Sequence, residues 1–63
     1  DFDAPDKALD AIAAWNEASP STYFAQNDCA ARVIANPSDS FDVWKNASMM
    51  VAVARFDRMA SSW

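Results

Sequence analysis

The sequence predicts an all-α domain: a small three-helix bundle or helical array with the third helix longest. Three observations carry that prediction. No glycine occurs in the 63 residues, so turns that need positive φ must use Asn or Asp, which disfavours tight hairpins and most β folds. Alanine, the strongest helix former, supplies 14 positions. The three prolines, Pro5, Pro20 and Pro37, fall at nearly even spacing beside residues typical of helix starts, where proline is tolerated. A single domain over residues 1–63 is expected, with helices near 5–18, 20–35 and 39–61.

The first helix has the clearest pattern. At about 100° per residue, Pro5, Ala8, Leu9, Ile12 and Trp15 fall on one face, and Asp6, Asp10, Ala13 and Glu17 fall opposite. Asp3 or Ala4 is the candidate cap, and Asp6 in the first turn suits the helix dipole. For the second helix, Ser19-Pro20 fits a cap followed by proline at the first helical position. Tyr23, Asn27, Ala30 and Ile34 share a face, with Val33 beside it and Phe24 and Ala31 flanking. Asn27 in the middle of that face reads as a buried amide that fixes register, or the helix begins only at Asn27 or Asp28. Asn36-Pro37 ends the segment, because a residue before proline is pushed out of the α region.

The third helix carries the most informative feature of the chain. Residues 49–54, Met-Met-Val-Ala-Val-Ala, have no polar side chain. Ser38, Asp39 or Ser40 can cap the helix. Phe41, Ala52, Phe56, Met59 and Trp63 lie toward one side, and Val43, Ala47, Met50 and Ala54 toward the other, with Trp44 and Val51 between. A helix apolar on two sides must be covered on two sides. Two shorter helices are expected to cover one, leaving an apolar patch of the kind that marks a contact site.

Size sharpens the point. A chain of 63 residues sits near the lower limit for independent folding. Hydrophobic residues make up 52% of it, but setting the alanines aside leaves 19 larger ones, of which eight are aromatic and seven are Leu, Ile or Val. The aromatics must therefore form much of the core, and stacking on a ligand is not needed to explain them. A partner surface would add stability that the chain has little of.

Charge and chemistry narrow the function classes. The net charge is −4. Residues 1–28 hold six acids against Lys7, a net −5, while residues 29–63 hold four cations against three acids, a net +1. An acidic first half disfavours nucleic acid and anionic membranes as partners. No apolar run approaches the ~18 residues needed for a membrane span. There is no histidine, which removes the usual general base and excludes Ser-His-Asp and Cys-His arrangements and Cys/His zinc sites within the chain. The lack of glycine excludes phosphate-cradling loops. The carboxylate pairs Asp6/Asp10 and Asp39/Asp42 lack the alternating ligands and turn glycine of a calcium loop. They read as a solvated ridge and as dipole stabilisation at a helix start.

Cys29 is the single cysteine, so no internal disulfide is expected. With Arg32 one turn later it offers a redox thiol or attachment point, against the plainer role of a small apolar residue at a helix interface. Asn46-Ala47-Ser48 matches a glycosylation sequon but falls mid-helix, a poor acceptor context. The chain opens at Asp1 rather than Met. It reads as a fragment, or as what remains after removal of an upstream targeting segment, which would make it an exported or organellar protein.

The reading is a non-enzymatic helical subunit, without cofactor or metal, docking into a larger protein assembly or a homo-oligomer. Trp44, Met49, Met50, Val51 and Trp63 are the expected contact. Methionine adapts to irregular surfaces and tryptophan is enriched at binding hot spots. The alternative is a free-standing acidic inhibitor presenting Asp6, Asp10 and Glu17 to a basic target.

Overall fold

The computed structural model describes residues 4–61. Among them are three α-helices and no strand: α1, Ala4–Ala18; α2, Tyr23–Ala35; and α3, Ser40–Ser61. Two short 3₁₀ turns, Pro20–Thr22 and Pro37–Asp39, join them. The prolines therefore stand where the sequence placed them, at the start of each new helical segment. The candidate cap Asp3 lies outside the described residues. The segment after Ser19 opens as a 3₁₀ turn and becomes α-helical at Tyr23, three residues later than the Ser19-Pro20 signal suggests.

The capping chemistry differs from the simplest expectation in both connections. The side chain of Ser19 makes no cap hydrogen bond. Its carbonyl instead accepts from the Thr22 N–H (3.2 Å) and the Thr22 hydroxyl (2.9 Å). At the second connection the Asp39 carboxylate accepts from Arg32 Nε (3.1 Å) and Asn36 Nδ2 (3.3 Å). Buried Ser40 donates its hydroxyl to the Pro37 carbonyl (2.6 Å). With no glycine to use, both corners are tied by side-chain hydrogen bonds while every described residue keeps negative φ.

α1 packs against both other helices and most extensively against α3, whereas α2 and α3 meet only sparingly. The three helices form a small bundle in which α1 is the common neighbour of α2 and α3. The radius of gyration, 12.0 Å, exceeds the about 10.6 Å expected of a compact domain of this length. α1 and α3 run in the same sense: Arg58 Nη2, near the end of α3, donates to the carbonyl of Ala18 at the end of α1 (3.1 Å). That bond supplies the cation that the last turn of α1 lacks.

The core is small. Ala8, Ile12 and Trp15 of α1, Val33 of α2, and Val43 and Ala47 of α3 are buried, with Leu9, Ala11, Cys29, Ala30, Trp44, Met50 and Val51 packed against them. The inward face of α1 is the one its periodicity gave through Ala8, Leu9, Ile12 and Trp15, while Pro5, expected on the same face, is exposed. Ala8 and Ala47 are fully buried, and such small residues let the two helix backbones approach closely. The indole N–H of Trp15 is buried without an acceptor, an arrangement that costs about 1–3 kcal/mol and thins an already narrow margin.

α2 is rotated relative to the expected face. Its inward residues are Gln26, Cys29, Ala30 and Val33, while Tyr23, Asn27 and Ile34 are exposed. The buried amide is therefore that of Gln26, 1% exposed, and not that of Asn27. Gln26 Nε2 donates to the Ser19 carbonyl (2.8 Å) and Thr22 Oγ1 (2.7 Å), with a longer approach to the Trp15 carbonyl (3.4 Å). Its Oε1 accepts from Asn16 Nδ2 (2.6 Å). One side chain thus satisfies polar groups of both helices at the α1–α2 corner. Asn27, one residue later, points about 100° away and cannot.

Candidate functional site

The uninterrupted apolar run of α3 is divided by the helical period. Met50, Val51 and Ala54 turn toward α1 and are half-buried, continuing the inward face of Ser40, Val43 and Ala47. Met49, Ala52 and Val53 turn away from it and are exposed. On that outer side the fractional exposures are 57% for Met49, 48% for Val53, 70% for Phe56 and 62% for Met59. The spacing 49, 52/53, 56, 59/60 alternates three and four residues, which lines these side chains into one stripe. The stripe lies on the side of α3 away from its core-facing residues, and none of the described helices covers it.

Charge borders the stripe asymmetrically. Taking about 100° per residue, Arg55 falls on one flank and Asp57 on the other, while Asp42 and Lys45 lie in line with the stripe one turn before Met49; all four are exposed. Among the described residues Arg55, Asp42 and Asp57 have no ion-pair partner. Lys45 Nζ lies 5.4 Å from the centre of the Phe41 ring, and the Phe41 and Trp44 rings are 5.8 Å apart, so the start of the stripe carries an aromatic cluster with a cation over it.

The five residues expected to make the contact do not fall together. Met49 is on the outer stripe. Met50 and Val51 pack against the core. Trp44 is half-buried beside Phe41, at the margin between the two faces. Trp63 lies outside the described residues. Phe56 and Met59, which the sequence placed on one apolar side but not among the contact residues, are the most exposed members of the stripe together with Met49, and Val53 joins them. The three-four spacing through Met49, Val53, Phe56 and Ala60 was the available signal for it.

The other features offer less. Asp6, Asp10 and Glu17 are all exposed on the side of α1 away from its packing face. Tyr23 and Phe24 on α2 touch edge to face at 5.8 Å, but exposed Ile34 is about 15 Å further along that helix, so α2 presents separate apolar spots and no continuous patch. A groove of about 140 Å³ between α1 and α3 is lined by Ala14, Glu17, Ala18, Arg55 and Arg58. It is below the ~300 Å³ at which small-molecule sites begin. Cys29 is half-buried against the core, as a small apolar residue would be, and the neighbouring Arg32 is turned to Asp39. Among the described residues no three carboxylate or thiol groups come together. Asn46 of the sequon is exposed in the middle of α3. Comparison with protein-family models, with curated proteins and with solved structures finds no match.

Proposed function

We propose that this protein is a non-enzymatic helical interaction subunit that docks into a protein assembly through the outer face of α3. The observation that carries the reading is the stripe of Met49, Val53, Phe56 and Met59, exposed along the outer side of α3. Isolated exposed apolar residues are ordinary, whereas a continuous row of large ones is the mark of a contact surface. Phe and Met are among the residues enriched at interface cores.

Site-specific photo-crosslinking in the producing cell tests the reading. A photoreactive phenylalanine analogue at position 56 should give a defined protein adduct, and one at Lys7 should not. Labelling at position 56 no stronger than at Lys7 would overturn it. The alternative, an acidic ligand for a basic protein, draws on the exposed ridge of Asp6, Asp10 and Glu17. In that case the adduct appears at position 10 instead and fades as salt is raised, because exposed charge pairs are screened over about 10 Å at 0.1 M.

A further inference from the structure

We propose that Met49 and Met59 form a peroxide-sensitive modification site, and that their oxidation to the sulfoxide switches off docking at the α3 stripe while the fold persists; the switching rests on reading that stripe as a docking surface. The chain has three methionines, and all three lie in α3. Met49 and Met59 turn outward, with 57% and 62% of their surface exposed. The third, Met50, is half-buried and packs against the core. A step of one residue, about 100° around the helix, therefore separates a thioether open to solvent from one that the bundle shields. Leucine would supply a similar apolar contact and lose less side-chain freedom on docking. Sulfur at both outward positions thus adds chemistry that apolarity does not require.

The step is a two-electron oxygen transfer. A lone pair on sulfur attacks one oxygen of hydrogen peroxide, the O–O bond breaks and an S–O bond forms. The departing hydroxide takes the proton left on the transferred oxygen and leaves as water. Sulfur is oxidised and peroxide reduced, with no further reactant consumed. The product replaces a flexible apolar side chain by a polar one. At position 49 it lies in line with Val53 and Phe56, and at position 59 one turn beyond Phe56. A partner seated on the stripe would then have to bury an S=O dipole within an apolar contact, which is costly. The isolated chain is indifferent to the change, because neither residue is among those that make up the core. Methionine sulfoxide reductases return the sulfoxide to the thioether, so the change is reversible.

Peroxide titration of the purified chain, with peptide mapping by mass spectrometry and circular dichroism alongside, reads the modification. Sulfoxide should accumulate at Met49 and Met59 about fivefold or more faster than at Met50, since attack on a shielded sulfur waits on local opening. Helicity should persist when both outer residues are fully oxidised. Equal rates at all three methionines, or loss of helix on oxidation of the outer pair, overturn the proposal. The photoreactive analogue at position 56 reads the switch. A peroxide pulse before illumination should lower the adduct about tenfold in the parent. It should leave the adduct intact in Met49→Leu/Met59→Leu, whose stripe stays apolar without sulfur. Adduct that survives in the parent with both sulfurs oxidised overturns the switch and leaves the docking reading standing. Adduct lost equally in the double variant assigns the loss to another group, Cys29 included, and overturns the switch too. No adduct at position 56 even without peroxide removes the docking reading, and the switch with it.

Discussion

Gln26 holds the α1–α2 corner, and replacing it tests the account of the fold most directly. Gln26→Met keeps the volume and removes the amide. None of the backbone acceptors is left bare: the Ser19 carbonyl still takes the Thr22 N–H and hydroxyl, and the Trp15 carbonyl still takes the Ser19 N–H at 2.8 Å. Exposed Asn16 turns to water. The loss is therefore the net worth of three good hydrogen bonds, about 0.5–1.5 kcal/mol each, and the more apolar methionine returns about 1–2 kcal/mol through burial. The expected net loss is about 1–2 kcal/mol, or roughly 4–16 °C in melting temperature for a domain of this size. Gln26→Glu has the same shape but turns donors into acceptors. Its carboxylate would sit against the Ser19 carbonyl, where an unpaired buried charge costs about 3–5 kcal/mol, comparable to the whole stability that a core this small supplies. The introduced carboxyl would have a folded-state pKa above its unfolded value, because burial disfavours the anion. Its stabilising, protonated form is therefore present below the unfolded value and lost as pH rises through the folded one. The Gln26→Glu chain should be largely unfolded at pH 7 and gain helix as pH falls toward about 4. Circular dichroism at fixed protein concentration measures all three chains. A Gln26→Met protein melting within about 2 °C of the parent, or a Gln26→Glu protein as stable as Gln26→Met at neutral pH, would refute the reasoning.

Neighbouring substitutions on α2 report its rotation. Val33→Ala, at a fully buried site, should destabilise by about 2 kcal/mol, while Ile34→Ala at an exposed one should stay within about 0.5 kcal/mol; urea titration ranks them, and the reverse order would mean that α2 presents the face its sequence suggests. Ala47→Leu forces extra methylenes into the α1–α3 contact, where Ala47 is fully buried, and should cost about 1–3 kcal/mol in the same titration. Arg32→Ala removes the 3.1 Å ion pair with Asp39, in which the arginine side chain is 57% exposed. The expected loss is below about 1 kcal/mol, and thermal melts in 1 M NaCl should show a smaller difference still.

What the sequence determined by itself was local. Proline at the start of each later segment and the absence of glycine set where the helices begin and end, because those effects act on φ and on the backbone N–H of the residue concerned. The face of α1 was legible for the same kind of reason: its large apolar and its acidic residues fall on opposite sides, so one orientation alone buries grease and leaves charge in water. α2 offered no such choice. Tyr23, Phe24, Val33 and Ile34 spread its apolar surface around the helix, and the orientation was decided by which amide could reach α1. Gln26 finds the Ser19 carbonyl, Thr22 and Asn16 together, groups that converge only once the α1–α2 corner has formed. α3 was intermediate. Its two apolar sides could be drawn from the period, but which residues of the run at 49–54 remained outside depended on α1 lying against Val43 and Ala47. Hydrophobic pattern states how much surface a helix must lose to a neighbour. The direction from which that neighbour arrives is a property of the assembled bundle, and here it leaves Met49, Val53, Phe56 and Met59 on the outside.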